Sequence, residues 1–322
     1  MKKQIFTTVA ILFFGKLFSQ IPECAWANNS GGGLGAQSST ICTDNLNNVY
    51  VLGTYSLSIT FGNTTLESDA LTSKIYLVKY DPNGNVLWAK NAESNSYQSP
   101  MNLTIDQEGN PIIAIINGGD SIAFGNITLY TNNIIGYACI AKLDSDGNAL
   151  WGKVVGSSLD ALTFDNAGGI FITGQFYTDS LTFDGVTIAN PEFPSPVIYI
   201  AKYDNYGNLL WARSEGATGA EGMYASSMVV DVNGNIIIAG AFGGDSATFG
   251  STTLINNNFT YGSNSIFLAK FNGLGDAIWA TNMQGTYFDT APKIDADVNG
   301  YIALTGYFQS DSIIIGLSLI HI

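Results

Sequence analysis

The chain has 322 residues, and its formal net charge at pH 7 is −14. Apolar residues make up 46% of it and charged residues only 12%, a balance that is too apolar for a disordered chain. The excess of acidic residues repels phosphate backbones, which argues against nucleic acid as a partner and leaves an unidentified protein or glycan open.

The first 20 residues have the pattern of a signal peptide. Lys2 and Lys3 precede an apolar run at residues 5–14, and a cleavage point follows near Gln20. A run of about ten apolar residues is too short to span a bilayer. We therefore expect residues 1–20 to be removed, no transmembrane segment to remain, and the protein to pass through the periplasm to the cell surface or beyond.

An internal repeat organises the rest of the chain. Five tryptophans, spaced by 60 to 68 residues, share one phase of it: Trp26, Trp88, Trp151, Trp211 and Trp279. Such a period predicts a repeat architecture, here over residues 21–316, followed by a non-repeat tail at 317–322. The predicted modules are 27–88, 89–151, 152–211, 212–279 and a partial module at 280–316.

Two predicted β-hairpins recur in each module. The first has the form SSMVVDVNGNIIIAGAF (residues 226–242) and the second the form IYLVKYDPNGNVLWA (residues 75–89). In both, an Asp begins the turn and a Gly takes the left-handed conformation that a bulged hairpin needs. Runs such as IIIAGAF are apolar throughout rather than alternating, which indicates strands that are buried on both faces.

A third recurring phrase, such as DSLTFDGVTI, lies between the two hairpins. Its aspartates share one phase of the repeat: Asp120, Asp179, Asp245 and Asp311. In a radial array they would form a ring, and oxygen ligands without His or thiolate favour calcium, the one metal or cofactor that the sequence suggests. The alternative is that each Asp caps a local turn with the Ser that follows it.

Lysines and cysteines give weaker signals. Four lysines at one phase, Lys79, Lys142, Lys202 and Lys270, are expected to be solvated at a sheet margin, with a ligand role as the alternative. Cys139 stands where other modules have a large aromatic residue, and we expect it to be a small buried residue. Cys24 and Cys42 could form a disulfide, but their spacing has no specific signature.

A four-stranded module cannot bury both of its faces alone, so the modules must stack. The predicted fold is an all-β β-propeller of roughly four-stranded antiparallel blades, and an open stack of sheets is the alternative. The motif D-x-x-G-N-x-Y-V-x-G followed by A-K-x-D-x-x-G-N-x-x-W resembles the β-propeller repeat of secreted bacterial proteins of the Bacteroidetes type. The resemblance implies the propeller and says almost nothing about activity. The orphan strand at Trp26 and the incomplete fifth module also suggest a chain that is truncated at its C-terminus.

No catalytic residues are predicted, because the single histidine, His321, lies in the tail and leaves no base for a Ser-His-Asp triad. The spacing A-x-x-D-x-x-G-x-x-x-W is similar to the tryptophan-docking motif of pyrroloquinoline-quinone dehydrogenases, which implies a packing role for the tryptophan. We therefore expect an exported, non-enzymatic propeller that acts as a binding or scaffold module. The alternative is a quinoprotein-like enzyme or a hydrolase whose active residues lie in blade loops or in a missing C-terminal part.

Overall fold

A computed structural model describes residues 26–27, 31–32, 35–68, 72–131, 137–218, 222–256, 264–285, 290–307, 309–310, 312–315 and 318–321. The regular secondary structure in these residues is β-strand. None of the described residues belongs to a helix long and apolar enough to cross a membrane.

Four antiparallel sheets recur along the described residues, each built on four strands that pair in chain order, and in two of them a small hairpin extends the sheet to six strands. Sheet 1 contains Gln37–Thr43, Val49–Tyr55, Lys74–Tyr80 and Val86–Asn91. Sheet 2 contains Gln98–Ile105, Pro111–Asn117, Tyr137–Leu143 and Ala149–Val154. Sheet 3 contains Ala161–Phe164, Ile170–Phe176, Val197–Tyr203 and Leu209–Ala217. Sheet 4 contains Met223–Val230, Ile236–Phe242, Ser265–Phe271 and Ala277–Gln284, and a further pair joins Thr290–Ala296 to Ile302–Tyr307.

Small hairpins follow the second strand of each module. Their strands are Ser58–Phe61 with Thr64–Glu67, Ser121–Phe124 with Ile127–Tyr130, Ser180–Phe183 with Val186–Ala189, and Ser246–Phe249 with Thr252–Ile255. A short strand, Gly31–Gly32, pairs with the first of them. Two of these hairpins pair with the end of the fourth strand of the module before, or with the residues just after it, through Gly216 with Thr248 and Glu93 with Ala123. These two hairpins therefore join consecutive sheets.

The expected non-repeat tail also belongs to such a hairpin. Ser318–His321 pairs with Ser312–Ile315, and that pair adds to the fourth strand of sheet 4. That residues 317–322 lie outside the sequence repeat stays a prediction.

The predicted turn chemistry is confirmed at both hairpins of the modules. In the turn after the third strand of sheet 1, the Asp81 carboxylate accepts N–H bonds from Asn83 at 2.9 Å and Asn85 at 2.8 Å. Gly84 has a φ of +84°, the left-handed value that a residue with a side chain rarely adopts. Antiparallel order places the first and second hairpin turns of every sheet at one end of the molecule, which we call the turn end. The small hairpins and the links between sheets lie at the opposite end, the hairpin end.

The hydrophobic core lies between consecutive sheets. Every residue of Ile236–Phe242 is buried, as the continuous apolar run predicted. One cluster combines Ile112 and Ile140 of sheet 2 with Ile172 and Tyr199 of sheet 3, and similar clusters join the other neighbours. The first strands of consecutive sheets also pack side by side. The fold is therefore an all-β, propeller-like array of repeated blades.

Candidate functional site

The phased tryptophans lie at contacts between sheets. Trp88, on the fourth strand of sheet 1, donates its indole N–H to the Ser145 carbonyl in a turn of sheet 2 at 3.0 Å. Its ring lies against Gly147 of that turn, where a Cβ atom would lie 3.2 Å from the ring. The same bond recurs three times: Trp26 to Pro82, Trp151 to Asn205 and Trp211 to Gly273. Trp88, Trp151 and Trp211 thus each join one sheet to a turn of the next, and Trp26 contacts the corresponding turn of sheet 1.

The phased lysines form ion pairs, so the expectation of solvated lysines at a sheet margin was wrong. The Lys142 ammonium lies 2.6 Å from Asp106, and the side chain is only 1% exposed. The other pairs are Lys79 with Asp44 at 3.8 Å, Lys202 with Asp165 at 3.0 Å and Lys270 with Asp231 at 2.7 Å. Each Asp is the residue that begins the first hairpin turn of the same sheet. Strand pairing brings it to a lysine far along the chain, which the sequence alone does not show.

Hydrogen bonds lower the pKa values of three of these carboxylates, those of Asp44, Asp106 and Asp231. Burial opposes the ionisation of Asp231, but hydrogen bonds from Lys270, from the Asn235 side chain and from backbone amides outweigh it and lower its pKa to about 2. The pKa values of Asp44 and Asp106 are also lowered, again against the effect of burial, by hydrogen bonds and by their lysines.

Lysine and tryptophan act together at the next sheet. Lys79 and Trp88 are direct cross-strand partners. The Ser145 carbonyl accepts hydrogen bonds from both of them, at 3.1 Å from the ammonium and 3.0 Å from the indole. In sheet 2, Lys142 and Trp151 both bind Asn205. We call each Asp–Lys–Trp set with its carbonyl acceptor a latch; in the described residues its function is to hold sheets together.

The candidate calcium ligands are not brought together. Asp120, Asp179 and Asp245 are exposed, and each lies at the start of a different small hairpin, where its backbone carbonyl accepts an N–H bond that closes the hairpin. Within the described ranges, no three His, Cys, Asp or Glu side chains are grouped closely enough to hold a metal ion. Asp179 instead accepts a hydrogen bond from the Ser180 hydroxyl at 3.2 Å. Asp311 lies outside the described residues.

The two described cysteines, Cys42 and Cys139, are free thiols with packing or hydrogen-bond contacts. Cys139 is fully buried, as expected, and burial raises the pKa of its thiol to about 12. It lies opposite Ile115, whereas other sheets place a glycine such as Gly53 opposite an aromatic residue such as Tyr76. The Cys42 thiol donates to the Leu103 carbonyl at 3.1 Å. Cys24 lies outside the described residues, so the proposed pairing of Cys24 with Cys42 stays a prediction.

Two acidic residues that the sequence did not single out have raised pKa values. Glu215, whose burial raises its pKa to about 7, accepts the N–H of Gly250 from the next small hairpin. Asp160, whose burial raises its pKa to about 6, has a buried Oδ2 atom that lacks a hydrogen-bond partner. Other modules have apolar residues at the position of Glu215, namely Ala92, Val155 and Met283.

The boundary between sheets 1 and 2 departs most clearly from the repeat. Asn117 stands at the end of a second strand, where the other sheets have the aromatic residues Tyr55, Phe176 and Phe242. Lys74 pairs opposite Tyr55, a position held by Val197 in sheet 3, and Gln98 pairs opposite Asn117. Lys74, Gln98 and Asn117 are 5%, 1% and 0% exposed, respectively.

These three buried polar residues hold the loop at residues 92–97. Lys74 donates to the carbonyls of Ser94 and Ser96, the latter at 2.9 Å. Gln98 donates to the Ala92 carbonyl at 3.1 Å and accepts the Ile75 N–H at 2.8 Å. Asn117 accepts the Ser94 hydroxyl at 2.7 Å. Each end of the loop is therefore fixed to a neighbouring strand.

An open cleft lies beside this loop at the hairpin end. Its volume is about 790 Å³, and it is lined by residues of sheet 1, of the loop and of the first and second small hairpins, among them Glu67, Lys74, Asn91, Glu93, Asn95 and Thr128. We call it the junction cleft. A neighbouring cavity of about 490 Å³, lined in part by Ser73, Tyr97 and Ser99, lies beside the same loop. Sequence reasoning missed both, although the departure of Asn117 from an aromatic repeat position was visible.

Comparison with known proteins agrees with the fold. No protein-family model matches the chain. It is 25% identical over 271 residues to the "Uncharacterized WD repeat-containing protein L264" of Acanthamoeba polyphaga mimivirus, which is 71% of this chain and 19% of that protein. It is 31% identical over 135 residues to the "Regulatory protein FlaEY" of Caulobacter vibrioides, which is 41% of this chain and 14% of that protein.

The chain thus spans less than a fifth of either curated relative. A crystal structure of a protein of unknown function from Bacteroides caccae aligns over 78% of this chain and 83% of that chain, with a TM-score of 0.35 and 12% identity. The WD repeat for which the mimivirus protein is named is consistent with the repeated blades described above.

Proposed function

We propose that this chain is an exported, non-enzymatic binding or scaffold module that acts at the cell surface or outside the cell. One contrast carries the proposal. The charged and aromatic residues that recur in the modules are engaged in the latches between sheets, whereas residues that depart from the repeat order the wall of an open polar cleft. A binding module on a repeated scaffold needs recurring residues that hold the sheets together and residues at one boundary that differ from the repeat and form the site.

The signal-peptide pattern of residues 1–20 supports export, and expression in a Gram-negative host tests it. We expect a C-terminally tagged chain to appear outside the cytoplasm with an N-terminus at Ile21. A variant with Lys2→Glu and Lys3→Glu should stay in the cytoplasm with its N-terminus intact. Cytoplasmic retention of the unaltered chain would contradict export.

The binding role is tested with the full purified chain on a biosensor surface. We expect saturable retention of an extracellular polysaccharide or protein fraction, and no new products when the retained fraction is analysed by chromatography. Release of oligosaccharide, peptide or oxidised products at a rate above that of a heat-denatured sample would favour the enzyme alternative. Failure to retain any fraction would contradict the binding role.

A further inference from the structure

We propose that the junction cleft binds a neutral oligosaccharide, an inference that rests on the binding role proposed above and assigns it a place and a ligand class. The wall of the cleft contains buried polar groups that are costly to form. Burying an ammonium and two amides is unfavourable unless each is hydrogen-bonded, and other sheets close their interfaces without this set of residues. The Lys74–Gln98–Asn117 network is therefore not required by the repeat, and what it produces is a fixed loop at residues 92–97.

The cleft wall is rigid as well as ordered. Glu93 and Ala123 exchange two backbone hydrogen bonds, at 2.9 and 2.8 Å, which attach the loop to the second small hairpin. Gly118 and Gly119 approach the loop so closely that a Cβ atom would lie 2.2 Å from the Tyr97 ring and 2.1 Å from the Asn95 side chain. A cleft with so little freedom loses little conformational entropy when it binds a ligand.

The side chains that line the junction cleft indicate which class of ligand it can bind. The side chains along the cleft are mainly amides, hydroxyls and the exposed carboxylates of Glu67 and Glu93. Two carboxylates, Glu67 and Glu93, against one ammonium, Lys74, give the lining a formal charge of −1, and the Lys74 ammonium donates to the carbonyls of Ser94 and Ser96. Sugar hydroxyls are donors that match carboxylate and amide oxygens, whereas a phosphate or a uronate would be repelled.

The volume and the shape of the junction cleft also fit an oligosaccharide. The volume of about 790 Å³ falls within the range of about 300–1,000 Å³ that small-ligand sites occupy. Tyr97 is 41% exposed on the same loop and offers a rigid ring whose face can pack against the apolar face of a pyranose. A chain of several sugar units could extend from the junction cleft past Tyr97 into the neighbouring cavity.

Isothermal titration calorimetry on the full purified chain tests this inference. The probes are cellopentaose, xylopentaose, mannopentaose and penta-N-acetylchitopentaose, with tetragalacturonate as the anionic counterpart. We expect at least one neutral probe to bind and the galacturonate not to bind. Glu93→Gln and Tyr97→Ala should each weaken that binding at least tenfold. Tyr206→Ala, which removes a tyrosine that is 80% exposed at the turn end, is the matched control and should leave it unchanged.

The outcomes separate this inference from the proposed function. Binding of a neutral probe that neither cleft variant weakens, while both variants melt like the wild type, would overturn the assignment to the cleft and leave the binding role intact. Absence of neutral-probe binding by a chain that retains another fraction on the biosensor would overturn the ligand class alone. Equal binding of tetragalacturonate would overturn the electrostatic argument. Absence of any binding in both experiments would remove both proposals.

Discussion

At the scale of single residues, the buried ion pairs are the contacts whose loss should destabilise the protein most. Lys142 and Asp106 are nearly fully buried, and each has partners besides the other: the lysine also binds Asn205 of the next sheet, and Asn110 donates to the aspartate. A buried pair of this kind contributes little compared with apolar residues of the same shape, but removing one member leaves a charge that neither water nor protein neutralises. The latches are therefore sensitive to single substitutions.

Lys142→Met tests this sensitivity. We expect it to lower the free energy of unfolding by about 3–5 kcal/mol at pH 7, because the Asp106 carboxylate stays buried without its partner. Lys153→Met is the matched control: its pair with Asp184 has side chains that are 28% and 36% exposed, and such a pair contributes about 0–1 kcal/mol. Urea unfolding of both variants measures the difference.

The pH dependence of the same variant provides a second check. In the wild type, hydrogen bonds to Lys142 and Asn110 lower the pKa of Asp106 despite its burial, so the stability that Asp106 contributes is lost as the pH falls. Without Lys142 its pKa rises, and protonation at low pH relieves the buried charge. The gap between Lys142→Met and wild type should narrow as the pH falls from 7 to 4. A gap independent of pH would point to lost packing instead.

Glu215 gives the opposite pH dependence. Burial raises its pKa from an ordinary 4.5 to about 7, so the folded state favours the protonated form. The stability associated with that form is fully present below about pH 4.5 and is lost as the pH rises through 7. Glu215→Met, which copies Met283 of sheet 4, should therefore stabilise the protein on the order of 2–3 kcal/mol at pH 8 and less at pH 5.

Thermal unfolding at the two pH values measures this effect, with Glu67→Gln as a control at an exposed carboxylate. Asp160, with a pKa raised to about 6, contributes a separate loss of stability over a similar pH range and remains in both proteins. An equal gain at pH 5 and pH 8 would show that the ionisation of Glu215 is not the cause.

At the scale of elements, the hairpin turns combine backbone geometry with contacts between sheets. The glycine of a second hairpin turn is needed for its left-handed φ, and it also provides the surface on which the tryptophan of the preceding sheet lies. Gly207 meets both demands, with a φ of +80° and a space in which a Cβ would lie 2.7 Å from the Trp151 ring. Gly234 of a first hairpin turn has a φ of +76° and no atom within 4 Å of a Cβ.

Gly207→Ala and Gly234→Ala therefore separate the effect of the left-handed φ from the effect of the tryptophan contact. Both should cost roughly 1–2 kcal/mol for a left-handed alanine. Gly207→Ala should cost about 1–3 kcal/mol more, because the methyl group displaces the Trp151 ring from its turn. The fluorescence emission of tryptophan should shift to longer wavelength in that variant only. Equal destabilisation of the two variants would show that the tryptophan contact adds little.

Whether the sequence could predict an interaction depends on how far apart its partners lie along the chain. The turns were predictable because Asp81, Gly84 and Asn85 act within five residues of one another. Lys79 was misassigned because its partner Asp44 lies 35 residues earlier, and only the pairing of Tyr50 with Lys79 brings them together. The junction cleft needed the same three-dimensional information, since nothing local indicates that Lys74 and Asn117 order a single loop.

At the scale of the whole molecule, the protein is stabilised mainly by contacts between consecutive sheets and not by each sheet alone. Four of the five hydrophobic clusters join residues of consecutive sheets, and the small hairpin at Ser246–Phe249 pairs with the fourth strand of the preceding module. Each module therefore depends on contacts with the next, as in other repeat proteins. Residues at the same position of the repeat therefore lie in separate modules. This holds for the aspartates that suggested a calcium site.

Calcium titration tests that separation. Calcium requires about six to eight oxygen ligands, and Asp120, Asp179 and Asp245 are exposed on three different small hairpins without forming a shared group. Calorimetry with calcium chloride should give weak, unsaturated heats, and these should be the same for wild type and for Asp179→Asn with Asp245→Asn. A double variant with Asp146→Asn and Asp295→Asn, at two other exposed carboxylates, removes the same charge and should also match. A saturable isotherm lost only when Asp179 and Asp245 are changed would show that these aspartates share a metal site in solution.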